Sequence, residues 1–308
     1  MLQATAGDVH PPAWYILEWI LFHLLPAAPA WFIRLPACAF SIGALYLFRV
    51  ILAELQISPK VQTAAFALMA VLPFQLWYAQ EGRMYAMLEF LVLVTFLAAI
   101  GHDHLLLFYG SVLLLYTQNY GPFYMVAIYL AALVMDVQEV KAWIASALEQ
   151  GGYLLTRARQ LGRWHLLTTQ RPTLLAMSGA ALLWLPWFLV VQRQMTDIAG
   201  RYWIMDKSLG SVLIILYKLF LTAAVPAELF FASYAVTFVA LILGVLALIR
   251  STHPARVTVA VLAFVPLLIA WLISLVWQPV ILFRPLIGSS PFLYLVVSWI
   301  LENKNENV

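Results

Sequence analysis

The sequence predicts an all-α fold, a polytopic bundle of about eight to ten transmembrane helices that forms a single domain over residues 1–308. The first observation is composition, since 64% of the residues are hydrophobic and only 10% are charged. Soluble domains contain about 45–50% apolar and about 25% charged residues. The second is that long apolar segments recur along the chain, with a mean hydropathy of +0.91. A surface so poor in charge would not stay soluble, so we expect an integral membrane protein.

Nine segments are predicted to cross the membrane, because a helical span needs about 20 mostly apolar residues. They are 31–52, 61–79, 84–101, 105–118, 121–136, 173–192, 230–249, 257–277 and 285–301. Segments 105–118 and 121–136 are short, which suggests tilt or partial burial in protein. Residues 209–226 are apolar but contain Lys218. They fit a span, a re-entrant segment or an interfacial helix.

Residues 1–30 are expected to form an outer loop followed by an interfacial helix at 12–28. Trp14, Tyr15 and Trp19 suit the headgroup level of a bilayer. Asp8 and His10, just before this helix, are candidate ligands of a divalent metal ion or an acid–base pair. The alternative is a solvated loop with a helix-start signal.

Basic residues predict the orientation, because they concentrate on the cytosolic side of membrane proteins. Alternating the spans puts most of them on one side, where 137–172 forms the largest cytosolic loop. These residues are Arg49, Lys60, Lys141, Arg157, Arg159, Arg163, Arg171, Arg250 and Arg256. The opposite, outer face receives residues 1–30 and the polar segments 80–85, 116–124, 192–208 and 277–284.

The turn at 80–85, "QEGRMY", is the most unusual of the outer segments. Ionisable groups at membrane depth are costly and tend to be functional. Glu81 is therefore a candidate catalytic carboxylate, and Gln80, Arg83 and Tyr85 are candidate substrate-binding residues. The alternative is that Glu81 and Arg83 only pair with each other at the membrane surface.

Further cations on the predicted outer face point to an anionic ligand. Arg201, Lys207 and Arg284 suit a phosphate, and Trp203 suits stacking on a sugar ring. The alternative is an aromatic belt with snorkelling cations. Neither a Walker pattern nor a G-x-G-x-x-G pattern occurs in the sequence, so no soluble nucleotide is expected. Nucleic acid is not an expected partner, because no basic face remains outside the cytosolic loops.

The order of several motifs resembles the bacterial branch of glycosyltransferase family 39, which is similar to protein O-mannosyltransferases. The motifs include "DVHPPAWYILEWIL", "LPFQLWYAQEGRMYAMLEFL", "LLYTQNYGPFYM", "RYWI" and "FRPLIGSSPFLYL". The resemblance covers essentially the whole chain. The "QEGRMYAM" and "D-x-HPP" motifs are its most specific parts.

The resemblance implies a C-type membrane glycosyltransferase fold in the bacterial inner (plasma) membrane, with the active face outward. Such enzymes pass a sugar from a polyprenyl-phosphate carrier to an acceptor, here a protein, lipid or polysaccharide. Arg83, Arg201, Lys207 and Arg284 would neutralise the leaving phosphate, a carboxylate would deprotonate the acceptor, and a divalent ion would assist.

Asp8 matches the family's second acidic position, which is associated with phosphate or metal, while the family's first span and Asp-Glu loop have no counterpart here. Transferase activity is therefore expected to be incomplete or lost if the chain starts at Met1. Two alternatives follow. One is a non-catalytic membrane protein of the same fold that binds a lipid carrier or a partner. The other, weaker alternative is a transporter.

Overall fold

The computed structural model describes residues 10–149, 155–198, 208–221, 225–277 and 279–302. These residues form twelve α-helices with short 3-10 segments, and no β-strand occurs among them. The prediction of an all-α, polytopic helical bundle is confirmed.

The α-helices are numbered in chain order. The first six are α1 (Ala13–Leu24), α2 (Leu35–Glu54), α3 (Pro59–Val71), α4 (Pro73–Gln80), α5 (Tyr85–Ile100) and α6 (His104–Thr117). The next six are α7 (Gly121–Glu149), α8 (Leu155–Ile198), α9 (Leu209–Leu221), α10 (Phe230–Arg250), α11 (Arg256–Val276) and α12 (Ser290–Ser298). Short 3-10 helices cover Ala30–Arg34, Ala227–Leu229, Arg284–Ser289 and Trp299–Leu301.

Six helical segments in the described part of the chain are long and apolar enough to cross a membrane. They are Trp31–Glu54, Gly121–Ser146, Trp164–Thr196, Ala227–Arg250, Arg256–Val276 and Arg284–Leu301. Helices α3 and α4 form a seventh if the bent pair is one span. These lengths and compositions indicate an integral membrane protein. All nine predicted spans are helical, but α5 and α6 are shorter than a full crossing.

Three segments differ from the sequence-based boundaries. The predicted cytosolic loop 137–172 is largely helical, because α7 continues to Glu149 and α8 begins at Leu155. The segment predicted as a short span at 121–136 is therefore part of a 29-residue helix. The ambiguous segment 209–226 contains the 13-residue helix α9, which ends at Leu221 and is shorter than a span.

A proline separates α3 from α4 and gives the chain a bend of 50°. Leu72 adopts an extended conformation with ψ of 138°, and Pro73 occupies the first turn of α4. A residue before proline is pushed out of the helical region, and proline fits the first turn because its missing N–H is not needed there. The bend redirects α4, which ends at the "QEGRMY" turn.

Helices α5 and α12 form the centre of the bundle. Residues 85–89 of α5 and 290–296 of α12 are all buried. Helix α5 packs on α2, α6 and the 3-10 helix Arg284–Ser289, whereas α12 packs on α3, α10 and α11. Large apolar side chains on α8 and α10, such as Leu182 and Val236, are exposed, as expected for helices that face lipid.

The segments 116–124 and 277–284, both predicted to lie on the outer face, lie together at one end of the bundle. The Tyr120 hydroxyl donates to the carbonyl of Val280 and accepts from the Leu282 amide at 3.0 Å. The Tyr124 hydroxyl donates to the carbonyl of Pro285 at 2.8 Å. Hydroxyl groups at the start of α7 thus connect the predicted outer segment 116–124 to residues 280–285.

The helix expected at the membrane interface is present as α1, which packs on α6. The buried Trp14 indole donates to the Glu18 carboxylate at 2.6 Å, while Trp19 is 48% exposed. Burial raises the pKa of the Glu18 carboxyl, and the hydrogen bond from Trp14 opposes that shift. The tryptophans and the half-buried carboxyl suit a helix that lies along the membrane surface.

A buried carboxylate connects α7 to α8 near the end of the bundle that carries the predicted cytosolic residues. Asp136 is 5% exposed. Its Oδ2 accepts from the Thr169 hydroxyl at 2.6 Å and from the Gln170 amide at 2.7 Å. Its Oδ1 lies 3.9 Å from His102 Nε2. Helix α6 begins nearby with Asp103 as its N-cap.

Asp136→Ala is expected to lower the free energy of unfolding by about 2 kcal/mol, because the buried Gln170 amide would lose its acceptor and the half-buried Thr169 hydroxyl would lose one of two. The measurement is thermal or denaturant unfolding of the purified protein in detergent. Glu139→Ala is the matched control on the same helix. The Glu139 side chain is 49% exposed and pairs with His165 at 3.3 Å, so we expect a change below about 1 kcal/mol. Equal losses for both variants would contradict the assignment of Asp136 as an anchor.

Candidate functional site

The charged turn after α4 is positioned by a tight backbone reversal. The Arg83 amide donates to the Glu81 carbonyl at 2.7 Å, which closes a three-residue turn. The middle residue is Gly82, where a Cβ would meet the side chain and carbonyl of Ile33 at 3.4 Å. The turn therefore lies directly against the 3-10 helix that precedes α2.

Arg284 joins this turn from the far end of the chain. Arg284 lies close enough to Tyr85, Tyr78 and Glu81 to interact electrostatically with all three. Tyr78 and Tyr85 are 2% and 4% exposed, and their ring centroids are 5.1 Å apart. We call these residues, together with Arg83, the Arg284 cluster: Tyr78, Glu81, Arg83, Tyr85 and Arg284.

The single carboxylate of the cluster is only partly engaged. Glu81 Oε1 lies 3.4 Å from Arg83 Nε, and the Glu81 and Arg83 side chains are 22% and 53% exposed. Glu81 Oε2 is buried and has no hydrogen-bond partner among the described residues. Both interpretations of Glu81 are thus compatible with the geometry: Oε1 takes part in an ion pair with Arg83, and Oε2 is a free acceptor.

Lys218 is a further cation beside the cluster that the sequence did not assign to the site. Its Nζ lies 4.9 Å from the centroid of the Phe283 ring, and Arg284 Cζ lies 5.8 Å from the same centroid. Phe283 packs on Phe74 of α4. The available signal was a lysine inside the apolar helix α9, but the sequence gives no reason to place α9 against α4.

The other predicted site residues are not all brought together. Gln80 is exposed, and its amide donates to the carbonyl of Leu76 in its own helix at 3.3 Å. His10 is partly buried and directly precedes the buried Pro11 and Pro12. Four predicted residues lie outside the described part of the chain: Asp8, Arg201, Trp203 and Lys207.

The predicted metal site is not tested by this arrangement, because one of its two ligands, Asp8, falls outside the described residues. Within residues 10–149, 155–198, 208–221, 225–277 and 279–302, no group of three or more His, Cys, Asp or Glu side chains could hold a metal ion. The divalent ion therefore stays a prediction, and the Arg284 cluster supplies the chemistry that the described residues show.

The cluster combines cations, hydroxyls and one carboxylate at the end of an apolar bundle. Arg83, Arg284 and the neighbouring Lys218 outnumber Glu81 by three charges to one. Such a set suits a phosphate or another compact anion, since guanidinium groups donate charge-assisted hydrogen bonds to its oxygens. Glu81 Oε2 is a candidate proton acceptor in the same place.

The chain was compared with protein-family models, with curated proteins and with solved structures, and none of them matches it. The resemblance to glycosyltransferase family 39 therefore stays a prediction from the motifs. Function has to be argued from the fold of a membrane protein and from the Arg284 cluster.

Proposed function

We propose that the chain binds a polyprenyl-phosphate-linked sugar at the Arg284 cluster and transfers the sugar to an acceptor at the outer face of the membrane. The observation that carries the proposal is the contact of Arg284 with Tyr85, next to Glu81 and Tyr78. It joins two of the motifs on which the family resemblance rests. The protein would act in the bacterial inner membrane with this end of the bundle facing outward.

A lipid-linked phosphate fits this position better than a soluble anion does. The cations lie at the ends of apolar helices, where a phosphate headgroup would meet them while its chain stays in the bilayer. Electrostatic interactions strengthen where water is scarce, and the neighbouring Tyr78 and Tyr85 are almost fully buried. Lys218 reaches the same area from α9.

The proposed reaction is a substitution at the anomeric carbon of the donor sugar. A hydroxyl of the acceptor attacks this carbon, and the bond between the carbon and the phosphate oxygen breaks. Polyprenyl phosphate leaves with the bonding electron pair, and Arg284 and Arg83 stabilise its developing charge. The acceptor proton goes to a carboxylate, for which Glu81 Oε2 is available and Asp8 is the second candidate.

A second candidate function is binding of the lipid carrier without transfer. The favouring observation is that Arg83 pairs with one oxygen of Glu81, so this carboxylate is already engaged within the protein. In this case the Arg284 cluster would recognise the phosphate, and Glu81 would serve to hold Arg83 in place.

The first test is binding of an unmodified polyprenyl phosphate to the purified protein in nanodiscs of zwitterionic lipid. The matched control ligand is the polyprenol of the same chain length, which lacks the phosphate. We expect at least about tenfold tighter binding of the phosphate, because it adds charge-assisted contacts. Equal affinity for the two lipids would overturn the proposed recognition of a phosphate.

The second test separates transfer from binding. Polyprenyl-phosphate sugars are supplied, and release of polyprenyl phosphate is followed with and without candidate acceptors. Release by the unaltered protein, lost in Glu81→Gln while binding persists, would support a transferase that uses Glu81 as its base. Binding without release under all conditions would favour the non-catalytic alternative.

A further inference from the structure

A buried polar network lies about one helical turn beneath the Arg284 cluster. Its centre is Glu89 in α5, which is 0% exposed. Glu89 Oε1 accepts from the Gln75 side-chain amide at 2.7 Å and faces the Ser290 hydroxyl at 3.4 Å. The same Gln75 nitrogen also donates to the Ser290 hydroxyl oxygen at 2.7 Å. Three side chains from three helices therefore meet at a single carboxyl group.

The surroundings of Glu89 favour its neutral, protonated form. Among the described residues, no basic side chain forms an ion pair with Glu89, and its Oε2 has no hydrogen-bond partner. Burying a carboxylate without a cation is very costly, whereas a neutral carboxylic acid avoids most of that cost. Oε1 can then accept from Gln75 while Oε2 carries the proton.

The titratable groups that face Glu89 do not supply a counter-charge. They are Tyr124 from α7 and Tyr294 from α12. The Tyr124 hydroxyl donates to the Pro285 carbonyl at 2.8 Å, and the Tyr294 hydroxyl donates to the Leu219 carbonyl at 2.7 Å. Both hydroxyl hydrogens are thus engaged with backbone oxygens, so neither is left to stabilise an ionised carboxylate.

The network connects the elements that carry the Arg284 cluster. Gln75 lies three residues before Tyr78 in α4, and Glu89 lies four residues after Tyr85 in α5. Ser290 begins α12, directly after the 3-10 helix that starts with Arg284. Residues three or four apart share one face of a helix. Each member of the network therefore lies below a member of the cluster on the same element or its direct continuation.

The geometry points to protonated Glu89 as a positioning residue for the phosphate site. Through Gln75 and Ser290 it holds α4, α5 and the helix that follows Arg284 at the separation in which Arg284 meets Tyr85 and Tyr78. This role deepens the proposed function and rests on it for its effect on ligand affinity. Loss of the Glu89 proton would bury an unpaired negative charge, so the arrangement is favoured at lower pH and weakened as pH rises.

The test uses Glu89→Gln and Glu89→Ala in the full-length protein, with a polyprenyl phosphate in zwitterionic nanodiscs as the probe. Glutamine reproduces a neutral carboxyl group in shape and still accepts from Gln75, so we expect phosphate affinity within about twofold of the unaltered protein. Alanine removes the link, and we expect affinity to fall by about tenfold or more. Glu18→Gln is the matched control, since this carboxyl bonds to Trp14 outside the network.

Two readouts go beyond a loss of structure. In the unaltered protein, affinity for the phosphate should fall more steeply on the alkaline side than it does in Glu89→Gln. Infrared spectra should also contain a protonated-carboxyl C=O band that is missing from Glu89→Gln. The inference is overturned if Glu89→Gln loses phosphate affinity as severely as Glu89→Ala. It is also overturned if the protonated-carboxyl band is unchanged in Glu89→Gln.

Two measurements do not depend on the ligand: the infrared band and the unfolding temperature of each variant in detergent. If the unaltered protein fails to bind the phosphate, the proposed function falls. The inference that protonated Glu89 connects α4, α5 and α12 is then tested by these two measurements alone. It is supported if Glu89→Gln loses the band but keeps the unfolding temperature. It is overturned if the band persists or the unfolding temperature falls as far as it does in Glu89→Ala.

Discussion

Arg284→Ala is expected to weaken binding of a polyprenyl phosphate by about a hundredfold, since a charge-assisted hydrogen bond in a water-poor site contributes roughly 2–3 kcal/mol. Arg284 is the residue that connects the two halves of the proposed site, because it lies beside Tyr85 and Glu81. Its removal takes away a proposed phosphate ligand and the positive charge beside Tyr85 and Glu81. The measurement is a ligand titration in nanodiscs.

Arg284→Lys separates charge from geometry in this prediction. Lysine keeps the positive charge but lacks the planar fork that can donate to a tyrosine hydroxyl and to a phosphate at once. We therefore expect a loss between that of the unaltered protein and that of Arg284→Ala. Equal losses for lysine and alanine would indicate that the fork, rather than the charge, is what the site requires.

Arg250→Ala is the matched control for Arg284→Ala. Arg250 ends α10 and is exposed, and the positive-inside rule assigns it to the opposite side of the membrane. Its loss removes one positive charge from the protein without touching the Arg284 cluster. If Arg250→Ala and Arg284→Ala weaken phosphate binding equally, the effect comes from net charge and the proposed site is wrong.

Gly244→Ala is expected to cause the largest loss of stability, of about 2–3 kcal/mol or more. A Cβ at Gly244 would lie 2.5 Å from the carbonyl oxygen of Val296 and 2.9 Å from Val297 Cα. Both atoms belong to the backbone of α12, so no flexible side chain can move aside. Close helix crossings at small residues are a common way in which membrane helices pack.

The effect of Gly244→Ala should extend to ligand binding, because α12 carries Ser290 at its first position. Displacing α12 would disturb the contact of Ser290 with Gln75 below the Arg284 cluster. Gly210→Ala is the control, since its added methyl group would meet only the Ser208 hydroxyl at 3.3 Å. Unfolding in detergent measures both variants, and equal stability for the two would show that the α10–α12 crossing tolerates a side chain.

The sequence predicts the membrane class and the helices well because their causes are local. Apolar content over about 20 residues is enough to recognise a span. Prolines such as Pro73 mark the start of a helix, because they fix the backbone of their own residue and of the residue before it. Residues 137–172 were predicted as a cytosolic loop from their charges, whereas α7 continues to Glu149 and α8 begins at Leu155.

Part of the candidate site could also be predicted from the sequence. The unusual charges of the "QEGRMY" turn identify Glu81 and Arg83, since ionisable groups between apolar segments are costly unless they have a role. The same reasoning points to Arg284 at the start of the last apolar segment. It also selected Gln80, whose amide instead folds back onto α4, because residue type alone does not reveal where a side chain points.

By itself, the sequence determined that this is an apolar, all-α membrane protein with its unusual charges at the ends of helices. Only the tertiary structure decided that Arg284 and Lys218 meet the turn after α4, and that Glu89 is enclosed by Gln75 and Ser290. The physical reason is that helices in a bilayer are apolar on every side, since lipid and protein neighbours are equally apolar. Their patterns therefore do not reveal which helix packs against which, and residues far apart in the chain become neighbours only through that packing.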